Sequence, residues 1–157
     1  MLVAGGTDGG RRRLNAPGVG VSAIVVDGDK VLLVRRGRPP AKGAWSFPGG
    51  RLELGETLRD AVRRELFEEC GLRIAVGPIV DVVEMIGVEE GETVHWVVVD
   101  YLARAVAGRA RAGDDAAELR WAALGELEEL ATTPRVPELA AAALALAASG
   151  HDIDWRL

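Results

Sequence analysis

The sequence predicts an α/β fold, an α/β/α sandwich around a mixed β-sheet. Apolar, β-branched runs recur at residues 17–26, 31–34, 79–86 and 93–106, which is how strands read. Two stretches break that rhythm and read as helices: a 3.6-period run after Thr57 and an Ala/Leu-rich run over residues 137–148. Residues 93–106 are largely apolar on both faces, as expected of a central strand covered on both sides.

Taken in order, residues 1–16 are rich in Gly and Arg and show no periodicity, so they read as a flexible lead-in. The arginines at 11–13 read as a solvated basic run ahead of a phosphate contact. Residues 17–149 form the expected domain. Its first strand, PGVGVSAIVV, ends at Asp27-Gly28, a strong hairpin turn signal, and VLLV returns as the second strand. That strand ends in Arg35 and Arg36. Paired arginines on one rim suit phosphate oxygens; ordinary edge-strand charge is the equal alternative. Residues 39–44 form a loop leading to Trp45-Ser46-Phe47-Pro48-Gly49-Gly50. Trp45 fits a core position better than a shelf for a base, and both readings are kept. Arg51 and Glu53 lie in the loop before the first helix, within reach of a substrate.

The helix itself has clear bounds. Thr57 is the expected N-cap, Asp60 completes a capping box, and Gly71 stands where a C′ glycine ends a helix. Leu58, Ala61, Val62 and Leu66 define one apolar arc at roughly 100° per residue. Glu65 and Glu69 fall inside that arc, with Glu68 at its edge. Carboxylates on a core-facing side are costly unless paired or bound to a metal. Three neighbours at i, i+3 and i+4 also repel one another and raise each other's pKa. A solvated acidic face paired with Arg63 and Arg64 is the plain alternative. The phase of Glu65 and Glu69 favours a hard divalent cation, Mg2+ with Mn2+ as the second choice.

Residues 50–72, GRLELGETLRDAVRRELFEECGL, resemble the Nudix box, G-x5-E-x7-R-E-U-x-E-E-x-G-U, in which U is a bulky aliphatic. Gly50, Glu56, Arg64, Glu65, Leu66, Glu68, Glu69, Gly71 and Leu72 fill every specified position. The resemblance implies the Nudix fold, with the box as loop-helix-loop. It implies hydrolysis of a nucleoside diphosphate linked to another moiety, with Glu65, Glu68, Glu69 and the Gly49 carbonyl as metal ligands. By the same resemblance Glu65 is also a candidate base, and Arg64 is the structural partner of Glu56. The segment DDAAELRW is similar to one in many Nudix enzymes, so Asp115 or Glu118 is a candidate extra carboxylate; a plain turn is the alternative for Asp115.

The segments PGVGVSAIVV, VLLVRRGRPP, WSFPGG and DDAAELRW resemble those of bacterial ADP-ribose pyrophosphatases. A proline that marks some of those enzymes is replaced in its region by Gly87 and Val88, which keeps a nucleoside triphosphate hydrolase as the alternative. A ligand-sensing Nudix domain is a third reading, weakened because every box carboxylate is present.

Composition bounds the rest. At 157 residues, 48% hydrophobic and 27% charged, the chain suits one globular domain. A net charge of −5 advertises no nucleic-acid surface. No apolar run reaches membrane length and no signal peptide is evident, so no membrane partner is expected. One cysteine, Cys70, forms no internal disulfide, which suits a cytoplasmic protein. Two distant histidines argue against zinc, and His95 reads as structural. The expected partner is a small-molecule nucleotide. Many relatives pair, so a homodimer is an open option, and residues 150–157 read as a tail or a partner contact.

Overall fold

The computed structural model describes residues 16–38, 41–113 and 116–157. The lead-in arginines at 11–13 and the loop candidate Asp115 lie outside the described residues. The chain order is β1 (Gly18–Asp27), β2 (Lys30–Arg36), β3 (Trp45–Ser46), β4 (Gly49–Arg51), α1 (Leu58–Cys70), β5 (Leu72–Glu89), β6 (Glu92–Gly108), β7 (Ala116–Ala123), α2 (Leu124–Leu127) and α3 (Val136–Ala148).

The strands form a mixed sheet in the order β3-β2-β1-β6-β5, with β4 beside β1 and β7 beside β2. β1 and β6 run parallel over Gly18↔Trp96 to Val25↔Ala103. The other pairings are antiparallel. The β1–β2 hairpin turns at Gly28, whose φ of 60° is the left-handed conformation that glycine adopts without strain.

Period-two alternation divides the core. Val21, Ala23 and Val25 of β1 meet Ala61, Val62, Leu66 and Cys70 of α1 on one face. Ile24 of the same strand meets Leu139, Ala140 and Ala143 of α3 on the other. The sheet is therefore covered by α1 on one side and by α2 and α3 on the other, the expected α/β/α sandwich. Among the described residues no helix is long and apolar enough to cross a membrane.

Three elements differ from the sequence reading. β5 runs over Leu72–Glu89, far beyond the expected residues 79–86. Gly77 and Pro78 look like a break in sequence, but they fall in a register shift between Val76 and Ile79 on an edge strand, where proline is tolerated. The short second helix covers Leu124–Leu127 rather than residues 125–130. Of residues 150–157, read as a tail or a partner contact, residues 153–156 lie against the domain. Val76 and Arg156 exchange both backbone hydrogen bonds, 2.7 and 2.9 Å, and Ile153 and Trp155 join the α3-side core.

Burying Leu66 completely makes it a keystone of the α1 face. Leu66→Ala should cost roughly 2–5 kcal/mol in urea unfolding, the range for a leucine cavity that relaxes only in part. One buried charge sits opposite, where Asp100 of β6 accepts a hydrogen bond from the Ser22 hydroxyl of β1. Burial pushes the Asp100 carboxyl up, and the Ser22 hydrogen bond draws it part of the way back. A carboxyl raised in the folded state contributes stability at low pH that is lost as pH climbs from the ordinary carboxylate range through the raised value. Asp100→Asn keeps an acceptor for Ser22 and removes the charge. It should raise the urea midpoint at pH 7 and flatten its decline across that pH window.

Candidate active site

α1 is fixed at both ends by the residues that end it. The Thr57 hydroxyl accepts from the Asp60 N–H at 3.1 Å. Asp60 returns by accepting a hydrogen bond from the Thr57 hydroxyl at 2.8 Å rather than by capping the backbone. At the other end Gly71, at φ 69°, donates its N–H to the Leu66 and Phe67 carbonyls. The link after β6 satisfies two more carbonyls: Arg111 N–H bonds Cys70 O at 2.9 Å, and Gly113 N–H bonds Glu69 O at 2.8 Å. A Cβ on Gly113 would stand 2.1 Å from Glu68 O, so only glycine lets this link lie against the helix. The turn carrying Glu68 and Glu69 is thereby pinned.

One guanidinium organises the acids. Arg64 grips Glu56 with two bonds, Nη2 to Oε1 at 2.6 Å and Nε to Oε2 at 3.1 Å. Its Nη1 lies 2.8 Å from Glu65, 3.4 Å from Glu68 and 3.7 Å from Glu53. Its Nη2 also donates to Arg51 O at 3.0 Å, tying the loop to the helix. Arginine's planar fork allows this sharing; an ammonium does not. The Arg64 hydrogen bonds hold the Glu56 carboxyl below its ordinary value. Glu65 is shifted the other way, because burial outweighs the pull of Arg64.

The glycine pair before the loop shapes the space beside these acids. A Cβ on Gly50 would meet the Glu65 carboxylate carbon at 2.3 Å, so its absence is what leaves Glu65 room. The Gly49 N–H donates to Glu69 Oε2 at 3.0 Å. A Cβ on Gly49 would stand 2.1 Å from Val21 O, so glycine also lets β4 close on β1.

The fit to a divalent cation can be judged from these contacts. Four carboxylates lie within salt-bridge distance of one guanidinium, and Glu69 adds a fifth beside them. The excess is negative, and the donors are all oxygens, the set that hard cations take. In the present rotamers Glu65 Oε1 and Glu68 Oε2 are held by Arg64, and Glu69 Oε2 by the Gly49 N–H. Accordingly, among the described residues no three acidic, histidine or cysteine side chains converge as a finished cage. The donor set fits, and side-chain rotation about the helix is what would close it.

The remaining candidates are dispersed. Arg35 and Arg36 do not share a rim, because successive strand residues face opposite ways. Arg36 is buried on the α1 face, continuing Leu32 and Val34, where burial pushes its guanidinium down and the charges of Glu69 and Glu89 push it back. Arg35 is half exposed and pairs with Glu118 at 3.5 Å. Glu118 alternates with Leu119 and Trp121, which pack toward α1, so it faces away from Glu65 and is no partner of the box carboxylates. Trp45 is a core residue of the α3 side, 8% exposed, and offers no shelf to a base. Glu53 stays with Arg64, as given above.

Arg51 lies over the Trp96 ring, 5.1 Å from its centroid, and its Nε is buried without a hydrogen-bond partner. Gly18 makes room for the Trp96 ring, since a Cβ there would stand 2.3 Å from it. His95 meets Glu84 at 3.0 Å, away from the box.

Arg64→Lys should test the hub. A lysine cannot keep the fork on Glu56 together with the bonds to Glu65 and Arg51 O. Urea unfolding should show a loss of about 1–3 kcal/mol, the cost of leaving partly buried charged partners unmatched.

Comparison with known proteins follows the same residues. The family model described as NUDIX domain matches residues 16–142. An ADP-ribose pyrophosphatase of Methanocaldococcus jannaschii is 35% identical over 119 residues, 73% of this chain and 67% of that protein. The 8-oxo-dGDP phosphatase NUDT18 of mouse is 32% identical over 106 residues, 68% of this chain but 31% of that protein. The crystal structure of a MutT NUDIX hydrolase from Burkholderia pseudomallei superposes with a TM-score of 0.68 at 33% identity, covering 82% of this chain and 96% of that one.

Proposed function

Since the chain belongs to the Nudix hydrolase family, we propose that it cleaves the pyrophosphate bond of a nucleoside diphosphate joined to a second moiety, with ADP-ribose as the leading substrate and Mg2+ as the cofactor. The observation that carries the reading is the crowd of carboxylates around α1, overbalanced against the single guanidinium of Arg64. A pyrophosphate is itself an anion, and it approaches such a site only if cations offset both sets of charge.

Glu65, Glu68 and Glu69 would hold the ion, with the backbone of Gly49 alongside. When bound, a divalent ion supplies charge neutralisation at the phosphoryl oxygens and acidifies a coordinated water. The chain's own part is to orient. Arg64 and Glu56 lock the loop to the helix, so the backbone that carries the ligands is fixed while their side chains turn toward the ion. Glu65, packed against Gly50, keeps an oxygen available as ligand or as acceptor of the water's proton. Arg36 stands on the same face and is the candidate for the substrate phosphates. Arg51, over the Trp96 ring, is the second candidate for substrate contact. Water adds to one phosphorus, the bridging P–O bond breaks, and ADP-ribose gives AMP and ribose 5-phosphate.

The ADP-ribose lead is supported by the activity named for the M. jannaschii relative. The oxidised-nucleotide activity named for the mouse relative supports the second reading, a nucleotide hydrolase acting on modified bases, over a much smaller share of that protein. Steady-state rates on ADP-ribose, nucleotide sugars and nucleoside triphosphates with Mg2+ or Mn2+ should rank ADP-ribose first by kcat/KM. A higher value for a triphosphate would install the second reading, and no turnover on any would leave a binding domain. With the best substrate, Glu69→Gln should cut kcat roughly 100-fold or more while the chain stays folded by circular dichroism, because an ion ligand goes and the side chain keeps its shape. Normal turnover by that variant would remove Glu69 from the ligand set.

A further inference from the structure

The half of α1 that bears no box carboxylate carries two arginines whose partners lie far along the chain. Arg59 Nη1 donates to Val76 O at 3.1 Å and to Gly77 O at 3.2 Å, with its guanidinium 5.4 Å from the Tyr101 ring centroid. Arg63 holds Asp60 Oδ1 at 3.2 Å with one nitrogen and donates to Arg156 O at 3.2 Å with the other.

These acceptors belong to one small assembly. Val76 N–H donates to Arg156 O, and Arg156 N–H donates to Val76 O, at 2.7 and 2.9 Å. Each carbonyl of the pair thus accepts twice: once from the opposing backbone and once from an arginine of α1. A carbonyl has two lone pairs, so both are filled. The register shift after Val76 in β5 frees the Val76 and Gly77 carbonyls to turn toward the helix. Trp155 then seals the assembly. A Cβ on Gly77 would stand 3.1 Å from its ring, and Arg104 lies 4.8 Å from its centroid on the other side.

We infer that residues 153–156 form a strap that holds the box helix in register with β5, and that Arg59 and Arg63 are positioning residues for the carboxylates further along the helix. The inference rests on the metal reading above for its functional consequence. The geometry favours a positioning role because the arginines bond to backbone, so their reach fixes the axial position of α1. The opposite end of the helix is fixed independently by Gly71, Arg111 and Gly113. Between two anchors the rotation of α1 about its axis is determined, and with it the direction of Glu65 and Glu69.

The test uses the full chain with Arg63→Ala, Arg63→Lys, Arg156→Pro and the Arg63→Ala/Arg156→Pro pair. Proline removes the Arg156 N–H that bonds Val76 O. Mn2+ titration calorimetry should show binding weakened roughly 3- to 10-fold in Arg63→Ala and in Arg156→Pro, with Lys restoring most of it, at or below the lower end for outer-shell partners. The double variant should add nothing to the single ones, because both break one linkage. Amide exchange in the first two turns of α1 should quicken about tenfold in the same variants. Unchanged Mn2+ affinity in folded variants, or effects that simply add, would overturn the inference. If the unaltered protein binds no Mn2+, the metal reading fails by itself, and the exchange rates still decide whether the strap holds the helix.

Discussion

The sharing of Arg64 among Glu53, Glu56, Glu65 and Glu68 is the interaction on which the site depends. It cannot neutralise what it gathers. A fork with five donors can orient several carboxylates, but its single positive charge leaves them in excess. The result is a cluster held in place and still negative. In the proposed function, orientation is supplied by the protein and charge by a bound cation. A site built the other way, with one arginine per carboxylate, would be more stable in isolation and useless for gathering ions and phosphates.

The fold makes this arrangement affordable in packing terms. Alternation along β1 gives one face to α1 and the other to α3, so the box helix rests on a complete core of its own. Glycines then open space only where backbone or carboxylate must come close. Gly50 makes room for Glu65, Gly49 lets β4 reach β1, and Gly113 lets a link cap the helix end. The strap after α3 adds a second support from the far side of β5.

Much of this could be read from the residues. The helix bounds followed from Thr57 and Gly71, and the inward phase of Glu65 and Glu69 followed from the leucine spacing, because both signals are local. What failed to show was long-range. Arg35 and Arg36 are adjacent in sequence, yet the pleat sends them to opposite faces. Glu118 fits a family pattern, but its phase within β7 turns it toward Arg35. Trp45 has an aromatic ring near the box and spends it on the α3 core. Gly77-Pro78 reads as the end of a strand, and only the edge position of β5 lets the strand continue past it. The strap at Trp155 and Arg156 has no local signature at all, since Arg156 exchanges its backbone hydrogen bonds with Val76, 80 residues earlier in the chain.

In the proposed function, the carboxylates on α1 gather a cation once their side chains rotate away from Arg64 and the Gly49 N–H. Crystals grown with Mn2+ and a non-hydrolysable ADP-ribose analogue would test it through anomalous scattering. A manganese peak is expected about 2.1–2.3 Å from carboxylate oxygens of Glu65 or Glu69, with those side chains released from Arg64 and the Gly49 N–H. A well-occupied analogue with no peak there, and with the carboxylates still bound to Arg64 and Gly49, would contradict it.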